Sequence, residues 1–481
     1  MKRKDIDTIL HPKSIAVVGA SSNLNSGATM FLNALLEIGY EGKIYPVNPN
    51  VEEALGLKTY PSLLDIPRNV DHVIVGVPAS IGPSIIEQAL KKGVRSIHFF
   101  TSGFAEIGTQ EGIALQKKVT DLAQGKIRVI GPNCMGIYHP KMKIAFDRGQ
   151  LPIPGGAAFV SQSGGLATYF SRNAIQEGNF CSKVLSIGNS SDLKLVDFLE
   201  YFGEDQETKT ISMYIEGLGE GEGKKLLEVL RNTTQRKPVL IWKGGQTDVG
   251  ARTALSHTGA MASGYELWQA LARQFGAILV DSIEEMHDFI KLYRLTSPPE
   301  STRSCLVNIG GGASVKYADV CSKVGIDLPE LQKETQDALL EFIPPVGTIR
   351  RNPVDASGSG WKRHAIEKTI RTIGCDPDID SIIFVTQLLL SRSRAGGSVL
   401  SPQQILRHQV NAVVSAAKHL NIPVVCNNQI PFEDLTVEAL RQYTKKELEK
   451  NGIPTFPSIK RTAKALKRYY EYNRFVKQRW S

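Results

Sequence analysis

One pattern, used three times, limits what this chain can fold into. A short apolar run ends in a turn rich in glycine or serine, and an amphipathic stretch follows. Ser14-Ile-Ala-Val-Val-Gly-Ala-Ser21 opens the first instance, Gly156-Ala-Ala-Phe-Val160 the second and Ser304-Cys-Leu-Val-Asn-Ile309 the third. Apolar runs without polar alternation suit strands buried on both faces, and the stretches between them suit covering helices. The alternation predicts an α/β fold on parallel sheets. In the first segment Lys43–Val47, His72–Val77, Ser96–Thr101 and Arg128–Ile130 read as further strands, with a helix over Ile81–Lys92. The result is a Rossmann-like unit ending near Pro140. Val184–Ile187, Thr210–Ile215 and Val239–Trp242 continue the second segment, which stops before the breaker Ser297-Pro-Pro-Glu300. The third runs to about Tyr470, and the basic, aromatic tail Tyr469–Ser481 reads as a terminal helix. A chain of 481 residues has room for about three domains. Their expected bounds are 1–148, 149–298 and 299–481.

Composition narrows the function classes. Hydrophobic residues make up 42% and charged residues 22%, enough for packed cores and too apolar for a disordered chain. The net charge of +9 is spread out, with local maxima at Lys445–Lys450 and Lys460–Arg479. No basic stripe interleaved with aromatics occurs, so a nucleic-acid partner is not expected. A mildly positive surface suits phosphate-rich small ligands. The cysteines at 134, 181, 305, 321, 375 and 426 form no C-x-x-C pair, which points to no disulfide framework, no metal site and a reducing compartment. The start, MKRKDIDTIL, lacks an apolar signal region, and no apolar run approaches the roughly 18 residues of a membrane span. A cytoplasmic protein with no membrane partner is the expectation.

Four turns carry candidate chemistry. Val-Val-Gly19-Ala20-Ser21-Ser22 follows the first strand, and Gly27 opens a helix. A glycine there lets backbone N–H groups face a phosphate at a helix N-terminus. The pattern is not G-x-G-x-x-G, and the second strand ends in Val47-Asn48-Pro49-Asn50 with no acid for ribose hydroxyls. That disfavours NAD and favours another nucleotide-bearing ligand such as CoA; the competing reading is a structural turn. Phe159-Val-Ser161-Gln162-Ser163-Gly164-Gly165 offers free N–H groups, hydroxyls and a helix dipole to an anion, against the plainer reading of Ser163 as an N-cap. Asn308-Ile-Gly310-Gly311-Gly312-Ala-Ser314, with Arg351-Asn352-Pro353-Val354-Asp355, suits close approach to a phosphate or to another subunit's backbone, or is simply a tight turn.

His257 lies in Ala254-Leu-Ser-His-Thr-Gly-Ala260. A lone histidine is more often structural than catalytic. Small neighbours leave this ring accessible, and a ring nitrogen can carry a phosphoryl group between sites. Such a histidine needs a carboxylate to fix its tautomer. Glu216, closing the run Ile211–Ile215 at a strand's carboxyl end, is the candidate; an ordinary loop glutamate is the alternative.

The ordered set of motifs resembles the NDP-forming acyl-CoA synthetase superfamily, from about His11 to about Tyr470. The pieces are HPKSIAVVGAS, FTSGFAEIG (100–108), GPNCMGI (131–137), SQSGGLA, SIGNSSD (186–192), YIEG, KPVLIWKGG (237–245), LSHTGA, NIGGGASVKYAD (308–319) and NPVD. The resemblance implies a CoA-binding domain followed by two flavodoxin-like domains of succinyl-CoA synthetase type. It implies an acid–CoA ligase forming ADP, working through an acyl phosphate and phospho-His257 with Glu216 beside it. Ser161, Gln162, Ser163, Gly164 and Gly165 then resemble the phosphoryl-holding helix start. Gly19, Ala20, Ser21, Ser22, Phe100, Thr101, Ser102 and, in GPNCMGI, Asn133 resemble CoA contacts. The three segments fill the chain, so ATP or ADP with Mg2+ belongs on a separate ATP-grasp β subunit, in an α2β2 assembly, with a small carboxylic acid, CoA and phosphate as the other partners. Departures from the family pattern stand at Asn50 and Val51, where a lysine is usual, at Ser190, usually basic, at Ser263-Gly264, usually reversed, and at Thr168, in place of a tyrosine. They imply an acid other than succinate. A CoA- or nucleotide-binding regulatory module without catalysis is the competing function.

Overall fold

The computed structural model describes residues 3–219, 221–258, 264–356, 363–386, 393–395, 398–430 and 433–480. It divides into two compact units, Met1–His287 and Asp288–Ser481.

The first unit holds two large sheets and one two-stranded ribbon. Its chain runs α1 (Arg3–Leu10), β1 (Ser14–Val18), α2 (Gly27–Ile38), β2 (Lys43–Val47), β3 (Glu53–Ala54), β4 (Leu57–Lys58), β5 (His72–Val75), α3 (Gly82–Lys92), β6 (Ser96–Phe99), α4 (Gln110–Ala123) and β7 (Arg128–Ile130). β3 and β4 pair only with each other; the rest form a parallel sheet in the order β2-β1-β5-β6-β7. All five residues of β1 are buried, as a run of Ile and Val covered on both faces requires. α2 and α3 stop at Gly39 and Gly93, both left-handed, whose N–H groups satisfy carbonyls of the preceding turn.

The second sheet follows with β8 (Gly136–Tyr138), β9 (Ala157–Ser161), α5 (Gly164–Gln176), β10 (Cys181–Ser186), α6 (Leu195–Glu204), β11 (Thr210–Ile215), α7 (Glu222–Thr233), β12 (Val239–Lys243), α8 (Asp248–Thr258), α9 (Tyr265–Phe275) and β13 (Ile278–Leu279). Its order is β13-β12-β11-β9-β10-β8, parallel except for β8. Phe159 of β9 stacks on Phe170 of α5 at 4.3 Å between centroids, and neither is exposed. Burying each ring stabilises by about 2–3 kcal/mol, and the pair clamps the strand to the helix on both sides of the Ser161–Gly165 turn.

α10 (Ile283–Leu295) leads into the second unit. There follow β14 (Ser304–Asn308), α11 (Gly311–Val324), α12 (Lys333–Leu339), β15 (Val354–Asp355), α13 (Arg363–Ile373), β16 (Ser381–Val385), β17 (Ser393–Ala395), β18 (Ser398–Leu400), α14 (Pro402–Ala417), β19 (Val424–Asn427), α15 (Leu435–Lys450), β20 (Thr455–Phe456) and α16 (Ile459–Trp480). The parallel sheet runs β15-β14-β16-β19-β20, and β17 pairs with β18.

Counted along the chain, the five parallel strands of each of the three large sheets lie in the order 2-1-3-4-5. This is a doubly wound order of the flavodoxin type. Connections leave in opposite directions from strands 1 and 3, and a crevice opens beyond their carboxyl ends. The α/β expectation is met, and the switch points fall between β1 and β5, β9 and β11, and β14 and β16.

Candidate active site

At the first switch point the backbone is held very close to itself. Gly19 has φ of 95°, and a Cβ there would stand 2.8 Å from Val77 Cγ1. A Cβ on Gly76 would stand 2.7–2.9 Å from Ala28, and one on Gly27 2.5 Å from the Phe100 ring. The Gly19–Ser22 loop is tied down by its neighbours. Asn48 Nδ2 donates to Ala20 O at 3.0 Å, Ser21 N donates to Thr29 Oγ1 at 3.0 Å, and Thr29 Oγ1 donates to Ser21 O at 3.1 Å. Ala20 is buried and Ser22 exposed. Asn50, one of the departures, donates its N–H to Asn48 Oδ1. Beyond β6, Thr101 Oγ1 donates to Val77 O at 2.6 Å, and Ser102 is exposed. Glu106 closes that loop by accepting from Gly103 N at 2.5 Å and Phe104 N at 3.1 Å. Gly19–Ser22 and Phe100–Ser102 therefore share one carboxyl edge.

The segment after β7 joins this edge to the second. Asn133 is left-handed at φ of 59°, a conformation Asn tolerates, and donates its N–H to Thr101 O at 3.1 Å. Met135 N donates to Ser186 Oγ at 3.0 Å, and Gly164 has room for no Cβ because Met135 Cγ lies 2.9 Å from where it would be. The loop after β10 closes on the same segment, with Asn189 N donating to Pro132 O and Ser191 N to Gly131 O. Asp192 accepts from Arg128 Nε and Nη2 and from Val129 N, each at 2.8 Å. Ser190, another departure, is left-handed at φ of 53°, and Lys194 Nζ donates to its carbonyl at 2.6 Å.

At the second switch point, Ser163 caps α5, accepting from Leu166 N at 3.4 Å. Ser161 is fully buried; its Oγ donates to Ser163 O at 2.8 Å and accepts from Ser163 N at 3.0 Å. Gln162 reaches across to the end of β11. Its Oε1 accepts from Glu216 N at 2.6 Å and Gly217 N at 3.2 Å, while Nε2 donates to Gly217 O at 2.9 Å. The side chains of Ser161 and Gln162 thus build the turn. Gly164 and Gly165 head the helix, and a Cβ on Gly165 would meet nothing within 4 Å. Backbone amides opening onto free space at a helix N-terminus fit a phosphoryl group.

Glu216 is buried, 5% exposed. The Tyr214 hydroxyl hydrogen-bonds to it, and burial together with this carboxylate raises the tyrosine's pKa. Lys243, at the end of β12, is 1% exposed and donates Nζ to Glu216 O at 2.9 Å and to Gly244 O. Burial draws its pKa down, opposed by the Glu216 charge. Within KPVLIWKGG nothing sets Lys243 apart as functional. Its signal was a lysine ending an apolar strand, a place where solvent exposure is the ordinary assumption.

His257 belongs to the last turn of α8, which packs against the 3-10 turn Ala105–Ile107 that follows the Phe100–Ser102 loop in sequence. The side chains of 254–258 and residues 259–263 lie outside the described residues. The expected contact between His257 and Glu216 lies outside them too, as does the Ser263-Gly264 step. Thr168 stands on the second turn of α5, and Tyr169 donates its hydroxyl to Glu284 at 2.5 Å. Among the described residues no three His, Cys, Asp or Glu side chains gather as metal ligands, and no helix is long and apolar enough to cross a membrane.

Three family models cover most of the chain: a CoA binding domain over 13–140, a succinyl-CoA ligase like flavodoxin domain over 154–293 and a Ligase-CoA domain over 305–467. With the sheet edges above, they define a protein of the NDP-forming acyl-CoA synthetase superfamily, and the chain belongs to it. Within that superfamily it aligns nearly end to end with α subunits. The acetate–CoA ligase (ADP-forming) II α subunit of Pyrococcus furiosus is 32% identical over 94% of both chains. The I α subunit of the same organism is 30% identical over 98% of both. A solved "dinucleotide forming" acetyl-coenzyme A synthetase 1 of Ca. Korarchaeum cryptofilum, in complex with phosphate and ADP, superposes with a TM-score of 0.81 at 28% identity, over 99% of both chains. A Methanocaldococcus jannaschii acetate–CoA ligase (ADP-forming) is 34% identical over 74% of this chain, a stretch that makes up 49% of that relative.

Proposed function

We propose that this chain is the α subunit of an ADP-forming acid–CoA ligase, interconverting acid, ATP and CoA with acyl-CoA, ADP and phosphate. The end-to-end match to chains named as α subunits of such ligases carries the reading. In the thioester-consuming direction, phosphate attacks the acyl carbonyl, the C–S bond breaks and CoA leaves as the thiolate. A ring nitrogen of His257 then attacks phosphorus in the acyl phosphate, and the acid leaves as its carboxylate. ADP finally takes the phosphoryl group from phospho-His257. Gly164 and Gly165, opened by Ser163, hold the phosphoryl group; Ser161 and Gln162 shape that turn. Glu216 orients the histidine. Gly19–Ser22, Phe100–Ser102 and Asn133 hold CoA.

ADP or ATP with Mg2+ sits on an ATP-grasp β subunit in an α2β2 assembly in the cytoplasm. The half of the Methanocaldococcus relative that this chain does not match supports a separate chain for that machinery. The departures at Thr168 and Ser190 support an acid other than succinate. The non-catalytic alternative loses ground to the named α subunits, and a sensor has no use for a paired His257 and Glu216.

The test is incubation of the α–β complex with γ-labelled ATP. An acid-labile, base-stable label on this chain is expected, lost in His257→Ala. A wild-type chain that takes up no label, or a labelled His257→Ala chain, overturns the phosphohistidine step.

A further inference from the structure

A buried lysine is costly unless something uses its charge. Removing an ammonium from water costs several kcal/mol, and an apolar residue of the same length would fill the space. Lys243 is almost wholly buried, yet its ammonium curls to the carboxyl edge of the second sheet, where it binds the carbonyls of Glu216 and Gly244. The strands bring the two together. Ile215 is in register with Lys243 across β11 and β12, and Gly244 N donates to Ile215 O at 2.8 Å, so residue 216 emerges beside the lysine. Gln162 holds the other side of the same turn through the N–H groups of Glu216 and Gly217. Tyr214 binds the carboxylate itself and is kept in place by its edge-on contact with Trp242 at 5.0 Å. A Cβ on Gly244 would stand 2.6 Å from the Tyr214 hydroxyl, so the next residue after Lys243 is a glycine that makes room for this tyrosine.

Glu216 is thus gripped from the β9–α5 turn, β11 and β12 at once. An ordinary loop glutamate needs none of this. Two of the grips, from Gln162 and Lys243, act on its backbone, and one, from Tyr214, on its carboxylate. Lys243 alone adds a full positive charge, in a low-dielectric setting where that charge acts strongly on the neighbouring acid.

We propose that Lys243 is a positioning residue for phosphoryl transfer, acting through Glu216 as backbone anchor and buried counter-charge of the acid that faces the phosphohistidine. The inference rests on the phospho-His257 reading. It adds that the acid works as one arm of a Tyr214–Glu216–Lys243 unit. When His257 gains a phosphoryl group and its ring becomes cationic, the carboxylate answers that charge from a fixed place, and the lysine keeps the acid fixed while the site is empty.

The experiment is a double-mutant cycle on the intact α–β complex, following the initial rate of label transfer from γ-labelled ATP. Lys243→Met keeps length and removes charge; Lys243→Arg keeps charge; Glu216→Gln removes the acid. Lys243→Met should slow labelling roughly 10- to 100-fold, the size of losing one charge-assisted hydrogen bond, with CoA affinity by calorimetry unchanged. Lys243→Arg should recover part of the rate. The double variant Lys243→Met/Glu216→Gln should be no slower than Glu216→Gln alone, because both changes remove one unit. Independent, multiplying effects, or wild-type labelling by Lys243→Met, overturn the proposal while leaving the phosphohistidine reading intact. If Lys243→Met does not fold, Lys243→Arg and Lys243→Gln are run through the same cycle against Glu216→Gln. An unlabelled wild-type complex overturns both readings.

Discussion

The first two sheets have one topology, but only the second leaves a glycine open at the start of its first helix. In the first, Gly19, Gly27 and Gly76 stand where a methyl group would strike protein atoms at 2.5–2.9 Å. They let α2 and the β1 and β5 turns press together, leaving a long loop held by side chains before the helix begins at Gly27. In the second, α5 starts two residues after β9; Gly164 is packed, with Met135 Cγ 2.9 Å from its missing Cβ, but Gly165 beside it has nothing within 4 Å of its own. Glycine density alone does not mark a phosphate site. What separates the two is whether the omitted methyl would meet protein or empty space.

The sheets also differ in what ionises inside them, and here the largest effect is expected. The first encloses His72 and His98, stacked at 6.3 Å. Burial, aided by His98, lowers His72 from 6.5 to about 3. Burial lowers His98 from 6.5 to about 4, against the pull of the Cys134 carbonyl. A depressed folded pKa means that the unfolded chain binds more protons. The stability from neutral rings is complete above about pH 6.5 and falls as pH drops toward 4, by about 1.4 kcal/mol per pH unit for each ring. The second sheet encloses Lys183, paired with Asp205 at 2.8 Å and Glu207 at 2.7 Å. Burial pushes Glu207 up, but hydrogen bonds from Lys141 and Lys183 prevail and draw it from 4.5 down to about 2. Its contribution is present above about pH 4.5 and is lost below that. Beside that cluster, 3.7 Å from Glu207, stands His139, just past the end of β8; burial and the Lys183 charge lower it from 6.5 to about 4, so the second sheet carries one such ring against two in the first. Native-state hydrogen exchange at pH 5 should therefore weaken β1, β5 and β6 more than β9–β11, the first by on the order of 4 kcal/mol and the second by about 2 kcal/mol relative to pH 7. Equal weakening of both sheets would erase the contrast.

Substitutions at the glycines come next. Gly76→Ala should lose about 1–3 kcal/mol in urea unfolding, because the methyl meets Ala28 backbone that cannot step aside. CoA affinity should fall with it; an unaffected midpoint would show that the first switch point is looser than its contacts. The smallest change in stability belongs to Gly165→Ala. There the fold should hold or gain up to about 1 kcal/mol, since Ala favours the helix and meets nothing. Its effect should appear instead as a rise of about tenfold in the phosphate KM of the α–β complex, the methyl crowding the anion. Loss of stability with no change in KM would reverse the assignment.

Much of this was legible because parallel strands advertise themselves. Lys43–Val47, Arg128–Ile130 and Thr210–Ile215 match their predicted bounds, and the three starting strands stand where the apolar runs are. The predicted strand His72–Val77 ends at Val75, because Gly76 and Val77 are apolar for another reason: they form the surface against which Gly19 turns. β10 begins three residues before its predicted start, at Cys181. Lys183 hid it, since a buried lysine is intelligible only with Asp205 and Glu207 in view. Gln162 reads in sequence as a residue of a phosphate turn, and nothing local announces that its side chain also accepts from the N–H groups of Glu216 and Gly217, more than fifty positions away. Lys243 was invisible for the same reason. Nothing local tells a strand's last lysine that it will bend back to a neighbouring strand's carbonyl.

β8 is a small element with a wide consequence. Its three residues continue the chain from the first sheet, yet they pair antiparallel with β10 as the border of the second. Anyone wishing to graft this CoA-binding domain onto another enzyme, or to exchange it between relatives, would naturally cut near residue 140, where the matched CoA binding domain ends. That cut takes Gly136–Tyr138 along with the graft. The recipient loses the selvedge of its own sheet, β10 is left with a bare hydrogen-bonding edge that invites aggregation, and the donor carries a loose ribbon. A clean exchange has to fall between Asn133, which is tied to Thr101 of the first sheet, and Gly136, where β8 begins, so the unit of inheritance at this seam is shorter than the domain.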